Sequence, residues 1–386
     1  MAPSQREEWV PVSANKLLLT SMISVILCVV SAVRAEAQDA QPKSTDESWA
    51  ATTQTSLNNT NPSRRTESHT KSGNRTVDKQ REEALGPDGR YKPVYDTEKE
   101  TIRVDAATTR TVVHGYRWDA DGRRTLVQVT EEEARSSASG DNHVVRTTSN
   151  SDANGNFQVA QREVADTRNT SPDTQETKTT VYMADGTGSL TPYLKTQELQ
   201  KRGTDHTVEV KKTTLSPDGN GNWQVGEVRE NTIKEEGQNR TSEERVSRPD
   251  SEGRLSEISR TVDKETEPAA GEKSNTVESY SPDIPGVAGD GSLRPNQRVT
   301  TVQKKGSDTS EQQVEQPRPG DPSSGLRVTA KTKYTVHYAA SGTQQTAITQ
   351  ERDTNGTFNV VSAGTRTKSD QVPPAQEPKA TVPKPQ

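Results

Sequence analysis

Five histidines, His69, His114, His143, His206 and His337, are the side chains whose ordinary titration lies nearest neutrality, and none stands at metal-ligand spacing from another. Their nearest acids in sequence, Asp141 and Asp205, fall in stretches that read as turns. Asp152-x-Asn154-x-Asn156 and Asp218-x-Asn220-x-Asn222 place oxygens at alternate positions, as calcium loops do. Such loops need Gly at the sixth place and a bidentate Glu at the twelfth. Here Gly stands fourth, and the twelfth place holds Glu163 in one copy but Arg229 in the other. The acid pairs Glu235-Glu236 and Glu243-Glu244 lie beside a turn, in a chain too poor in apolar residues to shift their pKa by burial. With no nucleophile elbow, zinc-binding helix motif or phosphate loop, the sequence points to no enzyme, no cofactor and no metal.

Four aromatics remain. Trp118, Phe157, Trp223 and Phe358 hold corresponding places in or beside a recurring turn. They offer either a ladder that stacks on sugars or, as the favoured expectation, the apolar anchor of each hairpin.

The elements that would position these residues must work with little oil. Only 26% of the 386 residues are hydrophobic and 4% aromatic, while 27% are charged with a net charge of -5. Without clustered cations or stacking platforms, nucleic acid is excluded as a partner. Lys16 followed by the apolar run Leu17 to Val33 and small residues up to Ala37 reads as an export signal, so residues 1–37 are expected to be a signal peptide. If uncleaved, that segment is the only expected membrane contact. Cys28, the single cysteine, lies inside it, so no disulfide is available downstream.

From residue 83 the chain repeats with a period of about 33 residues. Asp119 and Gly122, Asp152 and Gly155, Asp218 and Gly221, Asp250 and Gly253, and Asp353 and Gly356 mark the same Asp-x-x-Gly turn. The Asp side chain accepts from backbone N–H groups further along, and the Gly takes the left-handed conformation that closes a three-residue hairpin loop. Half a period later a second breaker appears, and the Thr- and Val-rich segments between breakers read as strands of roughly ten to twelve residues. One unit has too few apolar side chains to offset an ordering cost of about 1.5 kcal/mol per residue, so stability must come from joining units. The expected fold is all-β: an antiparallel meander of hairpin repeats over 83–369 forming an extended or coiled sheet. A disordered polar linker (38–82) is expected before it and a Pro-rich disordered tail (370–386) after it.

Gly115-Tyr116-Arg117-Trp118-Asp119-Ala-Asp121-Gly122-Arg123-Arg124-Thr125-Leu126 resembles the tyrosine-aspartate repeat of Rhs-type bacterial surface proteins. The similarity covers this unit well and the others at Asp-x-x-Gly only. It implies coiled β-hairpin sheets on large exported proteins linked to adhesion, carbohydrate binding or toxin packaging.

The first expectation is therefore a non-catalytic secreted or envelope-associated repeat protein with a structural or adhesive role. It would be periplasmic, cell-surface or extracellular, with wall polysaccharide or envelope proteins as partners. The second is a carbohydrate-binding array using Trp118, Phe157, Trp223 and Phe358. The third, an outer-membrane barrel of about eighteen strands, fits by strand count and length. It calls for a lipid-facing apolar band that this sequence lacks, and for an aromatic last strand where Pro385-Gln386 stands.

Overall fold

The computed structural model describes residues 47–57, 60–218, 220–269, 271–282, 293–304, 307–318, 325–339 and 342–369. The expected signal peptide, the first nine linker residues and the Pro-rich tail lie outside them. Twenty strands follow in chain order: β1 (Glu47–Leu57), β2 (Thr60–Ser72), β3 (Arg75–Leu85), β4 (Tyr91–Arg103), β5 (Thr108–Trp118), β6 (Arg124–Ser136) and β7 (Asn142–Ser151). Then come β8 (Phe157–Ser171), β9 (Thr174–Ala184), β10 (Leu190–Arg202), β11 (Thr207–Pro217), β12 (Trp223–Glu236), β13 (Asn239–Pro249) and β14 (Leu255–Ala269). The last are β15 (Glu272–Ser281), β16 (Arg294–Lys304), β17 (Thr309–Gln316), β18 (Arg327–Ala339), β19 (Gly342–Arg352) and β20 (Phe358–Ser369). The segment read as a disordered linker thus supplies β1, β2 and most of β3 from Glu47 onward.

Each strand pairs antiparallel with the next, and β1 pairs with β20 from Ala50↔Ser369 to Leu57↔Ser362. The sheet is a closed ring, which corrects the expectation of an extended or coiled array. Closure satisfies the backbone groups that an open ribbon would leave exposed on two edges.

The repeat supplies the curvature. Each return strand after an Asp-Gly turn carries one unpaired residue at nearly the same depth: Val94, Val127, Ala160, Tyr193, Gly226, Ile258, Asn296, Thr329 and Val361. A bulge bends its strand and increases the local twist. Repeated once per hairpin at one height, it curls the sheet in a single sense until its ends meet.

Followed from Glu47 through successive register partners, a hydrogen-bonded row climbs toward the Asp-Gly end, from Lys71 and Thr76 to Val181 and Leu194. Over a full circuit back to β1 it climbs roughly 20 residues, a shear that for this strand number sets a tilt of about 35–40° and a backbone diameter near ~35 Å. Side chains cannot fill such a ring, so it encloses a wide lumen.

Successive residues alternate between two faces, and one face is the less exposed along strand after strand. On β13 Arg240, Ser242, Glu244 and Val246 are partly or fully buried, while Thr241 and Arg245 are exposed. On β17 Gln312 is buried between exposed Glu311 and Gln313. Side chains on the concave side of a cylinder converge, so this face lines the lumen. Register carries the assignment consistently round the ring and through the β1–β20 seam. Among the described residues the buried apolar side chains are only Ala51, Val228 and Val246. Stability therefore resides in the backbone ladders and not in an oily interior.

Candidate functional site: the lumen and the outer wall

The lumen wall is hydrophilic. Cross-strand threonine hydroxyls meet at 3.2 Å (Thr101 and Thr111), 3.1 Å (Thr130 and Thr148), 2.9 Å (Thr167 and Thr177) and 3.0 Å (Thr332 and Thr349). A β-branched residue suits the strand, and its hydroxyl keeps the concave face wet. The lumenal charges are largely matched. Arg146 lies 2.5 Å from Glu132 and 3.6 Å from Glu163, one strand to either side. Glu227 takes Arg229 at 2.6 Å and Arg248 at 2.9 Å, and the two arginines hold its carboxyl below the ordinary carboxylate range against the opposing effect of burial. At the seam, Glu67 lies between Arg65 at 2.8 Å and Arg366 at 3.0 Å, tying β2 to β20 across β1. The wall thus presents hydroxyls and paired ions to water, without a field of one sign.

The outer wall is polar too. Asp96, 4% exposed at its side chain, accepts from Arg81 at 3.0 and 3.1 Å and pairs with Arg124 at 3.0 Å. Asp96 holds the Arg81 guanidinium above its ordinary pKa. Arg64–Glu83, Arg110–Glu131, Lys211–Glu230 and Arg298–Glu278 are further pairs on this face. Among the described residues neither face carries an apolar band about 25 Å tall like that of a lipid-bathed barrel, because charged pairs such as Lys211–Glu230 and Arg110–Glu131 stand along the outer wall.

The Asp-Gly turns keep the geometry their sequence implies. Asp218 Oδ1 accepts from the backbone of Asn220 and Asn222 at 2.8 Å each, Gly221 N–H donates to the Asp218 carbonyl at 3.1 Å, and Gly221 has φ +84°. Asp152–Gly155, Asp250–Gly253 and Asp353–Gly356 repeat the pattern, and Asp119–Gly122 keeps it with the single donor Arg123 N–H on Asp119 Oδ1. Backbone N–H donors hold the Asp152, Asp218 and Asp353 carboxyls below the ordinary range. The Asp152 and Asp218 carboxylates of the calcium-like triplets are thus engaged by their own loops, and among the described residues no three of His, Cys, Asp or Glu gather as metal ligands.

Trp118, Phe157, Trp223 and Phe358 are brought together as one row, at the Asp-Gly end of the outer face. Three carry a cation over the ring: Arg81 at 5.2 Å from Trp118, Lys195 at 4.3 Å from Trp223, and Lys331 at 4.8 Å from Phe358. The histidines stay apart. His69 and His143 meet carboxylates across the ladder, Asp78 at 2.6 Å and Asp166 at 2.7 Å, not their neighbours in sequence. Register alone makes those pairs, and no sequence spacing could have flagged them.

No protein-family model matches this sequence, and no curated protein matches it. Among solved structures it is similar to the siderophore receptor PirA from Pseudomonas aeruginosa, at 8% identity and a TM-score of 0.47, covering 85% of this chain and 81% of that one. It is also similar to OccK3 (OpdO) from Pseudomonas aeruginosa, at 8% and 0.42, covering 84% and 95%. The alcaligin outer-membrane receptor FauA from Bordetella pertussis follows at 7% and 0.44, covering 85% and 76%. At that level of likeness no solute, partner or location passes from those proteins to this chain.

The ring itself corrects two expectations. The unit resembling the tyrosine-aspartate repeat is the end of β5, a turn and the start of β6 within a closed ring. Its Tyr116 lies under Arg124 at 3.5 Å, beside the Asp96 network, and no coiled sheet forms. A structural or adhesive array, including the carbohydrate-binding version, presumes an open stack of units. Here one face of the strands is turned inward on an enclosed space.

Proposed function

We propose that this protein is a barrel-type conduit of the cell envelope, at the outer membrane, whose lumen passes polar solutes. The observation that carries the reading is closure: twenty antiparallel strands in chain order, sealed by β1 against β20, form a ring too wide for side chains to fill. Two features support it. An even-numbered, closed up-and-down barrel is the form in which strands serve that membrane, and the polar outer wall leaves residues such as Thr180 open to water. The hydroxyl-rich, charge-paired lumen suits small uncharged hydrophilic solutes better than ions of one sign. The N-terminal apolar segment is the route of export that this reading requires.

The lone cysteine, Cys28, lies in that segment, so single cysteines placed in the sheet report cleanly. Thr179→Cys on the lumen side and Thr180→Cys on the outer side of β9 are neighbours in sequence. A small maleimide is expected to label both, and a maleimide carried on a folded protein wider than the lumen only the second. In whole cells, loading the first with a bulky small-molecule maleimide lowers passage of a small polar solute, and loading the second does not. Equal labelling of the two by the large reagent, or recovery of the protein in the cytosol, defeats the reading.

A further inference from the structure

Among the described residues the outward apolar side chains gather at one end of the wall, with isolated ones such as Ile348 further along it. Tyr91, Phe157, Leu190, Trp223, Leu255 and Phe358 each open the strand after an Asp-Gly turn, and Trp118 closes the strand before one. Cross-strand pairs such as Pro217↔Trp223, Pro249↔Leu255 and Arg352↔Phe358 put them all on the outward face. Two residues further from the turn the same face holds Leu126, Val159, Val225 and Val360. Leu255 is 52% exposed, Phe157 40%, Val225 36% and Val360 46%, so the belt is uncovered. At the β15–β16 hairpin the outward pair nearest the turn is Tyr280 with Pro295. Beyond this second row the wall becomes charged, with Lys195, Lys211, Glu230 and Arg245 among its residues.

A belt two alternate residues deep is about 7 Å tall. That is the depth of the headgroup and upper acyl region into which interfacial side chains sink, far short of a hydrocarbon span. The chemistry matches as well. Amphipathic rings favour that layer, and ammonium groups beside them meet lipid phosphates. Lys195 and Lys331 sit over Trp223 and Phe358 and form no ion pair among the described residues, whereas Arg64 and Arg81, over Tyr91 and Trp118, are shared with Glu83 and Asp96. The carboxylates at this end, Asp152, Asp185 and Asp218, are engaged by their own backbone.

We propose that the barrel meets the membrane by its mouth: the aromatic and basic belt at the Asp-Gly end seats in the headgroup layer of a phospholipid surface, while the charged wall stands in water. This rests on the conduit reading for the ring alone and deepens it: the lumen opens onto the membrane at one mouth instead of crossing the bilayer by its wall, and the test does not depend on solute passage.

The test uses the mature chain and vesicles of phosphatidylcholine with phosphatidylglycerol, read by flotation and by tryptophan quenching with lipids brominated near the headgroup or near the bilayer centre. Shallow bromines should quench the protein and deep ones should not, and Trp49→Phe should leave the quenching unchanged, because Trp49 lies at the other end on the lumen side. The pair Phe157→Ser and Leu255→Ser, both exposed, should lower vesicle affinity about tenfold or more, with β-structure unchanged by circular dichroism. Ile348→Ser, equally exposed but midway along the outer wall, should leave it unchanged. Quenching by deep bromines, or equal loss with Ile348→Ser, would show a wall immersed in hydrocarbon and overturn the proposal. Failure to float, including a belt covered by a second copy, would overturn it equally. Cysteine labelling of the lumen succeeds or fails separately from all of these.

Discussion

The two ends of the ring are built by different means. At the Asp-Gly end one turn design recurs, with a carboxylate gathering two backbone N–H groups and a glycine at positive φ, as at Gly155, Gly221 and Gly253. At the other end the turns are mixed. Gly73 and Gly237 serve very short connections, Ser137–Asp141 places Gly140 at φ +81°, and the matching position of the next similar turn holds His206 at φ +61°. The uniform end carries the outward belt and the regular bulges. The lesson is that repetition was kept where geometry must be equal round the circle, and relaxed where each hairpin needs only to reverse.

The sharpest way to break this picture is to open the ring. Removing residues 47–57 deletes β1 and leaves β2 and β20 as free edges, so aggregation and loss of a single unfolding transition are expected in urea followed by circular dichroism. Acid comes next, because it acts on many turns of one end together. The Asp152, Asp218 and Asp353 carboxyls titrate below their unfolded value of about 3.9, so the stability they add is fully present above that pH and is lost as pH falls through the folded value. A urea midpoint that is flat from pH 7 to 5 and falls below pH 4 is the expected curve, and an unchanged midpoint at pH 3 would remove the turns from the account.

Within single turns, Gly221→Ala is expected to cost roughly 1–2 kcal/mol in urea titration. The added methyl group has free space, and the strain comes from φ alone. At the opposite end the sign reverses: His206→Gly relieves the same strain and should add up to about 1 kcal/mol. Smallest of all is Lys211→Ala on the outer wall. Its partner Glu230 is as exposed as itself, so the change should stay below about 0.5 kcal/mol and vanish in high salt.

Much of this was legible without coordinates. The Asp-x-x-Gly spacing defines hairpins because the carboxylate and the left-handed glycine act within five residues. The alternation of Thr and Val defines strands because side-chain direction is a local property of extended backbone. The polar character of each strand face was also readable, since a face is only every second residue of a strand. The four aromatics could be aligned by their place after the turn, though not assigned to a side of a wall.

The segment before residue 83 misled. Ser63-Arg64-Arg65-Thr66-Glu67 has the composition of a solvated linker, yet in β2 its charges find Glu83, Gln80 and Arg366 across the ladder. Partners 15 to 299 residues away leave no trace in local spacing.

What the sequence decided alone is whatever short-range chemistry decides: where the chain reverses, which residues extend, and that no thick core could form. Closure belongs to the tertiary structure. It depends on a small bend repeated once per hairpin and summed over twenty strands until β1 reaches β20, and a sum of that kind is invisible in any one unit. The same summation made two polar faces into an inside and an outside, which is why the lumen and the belt can be named only from the ring.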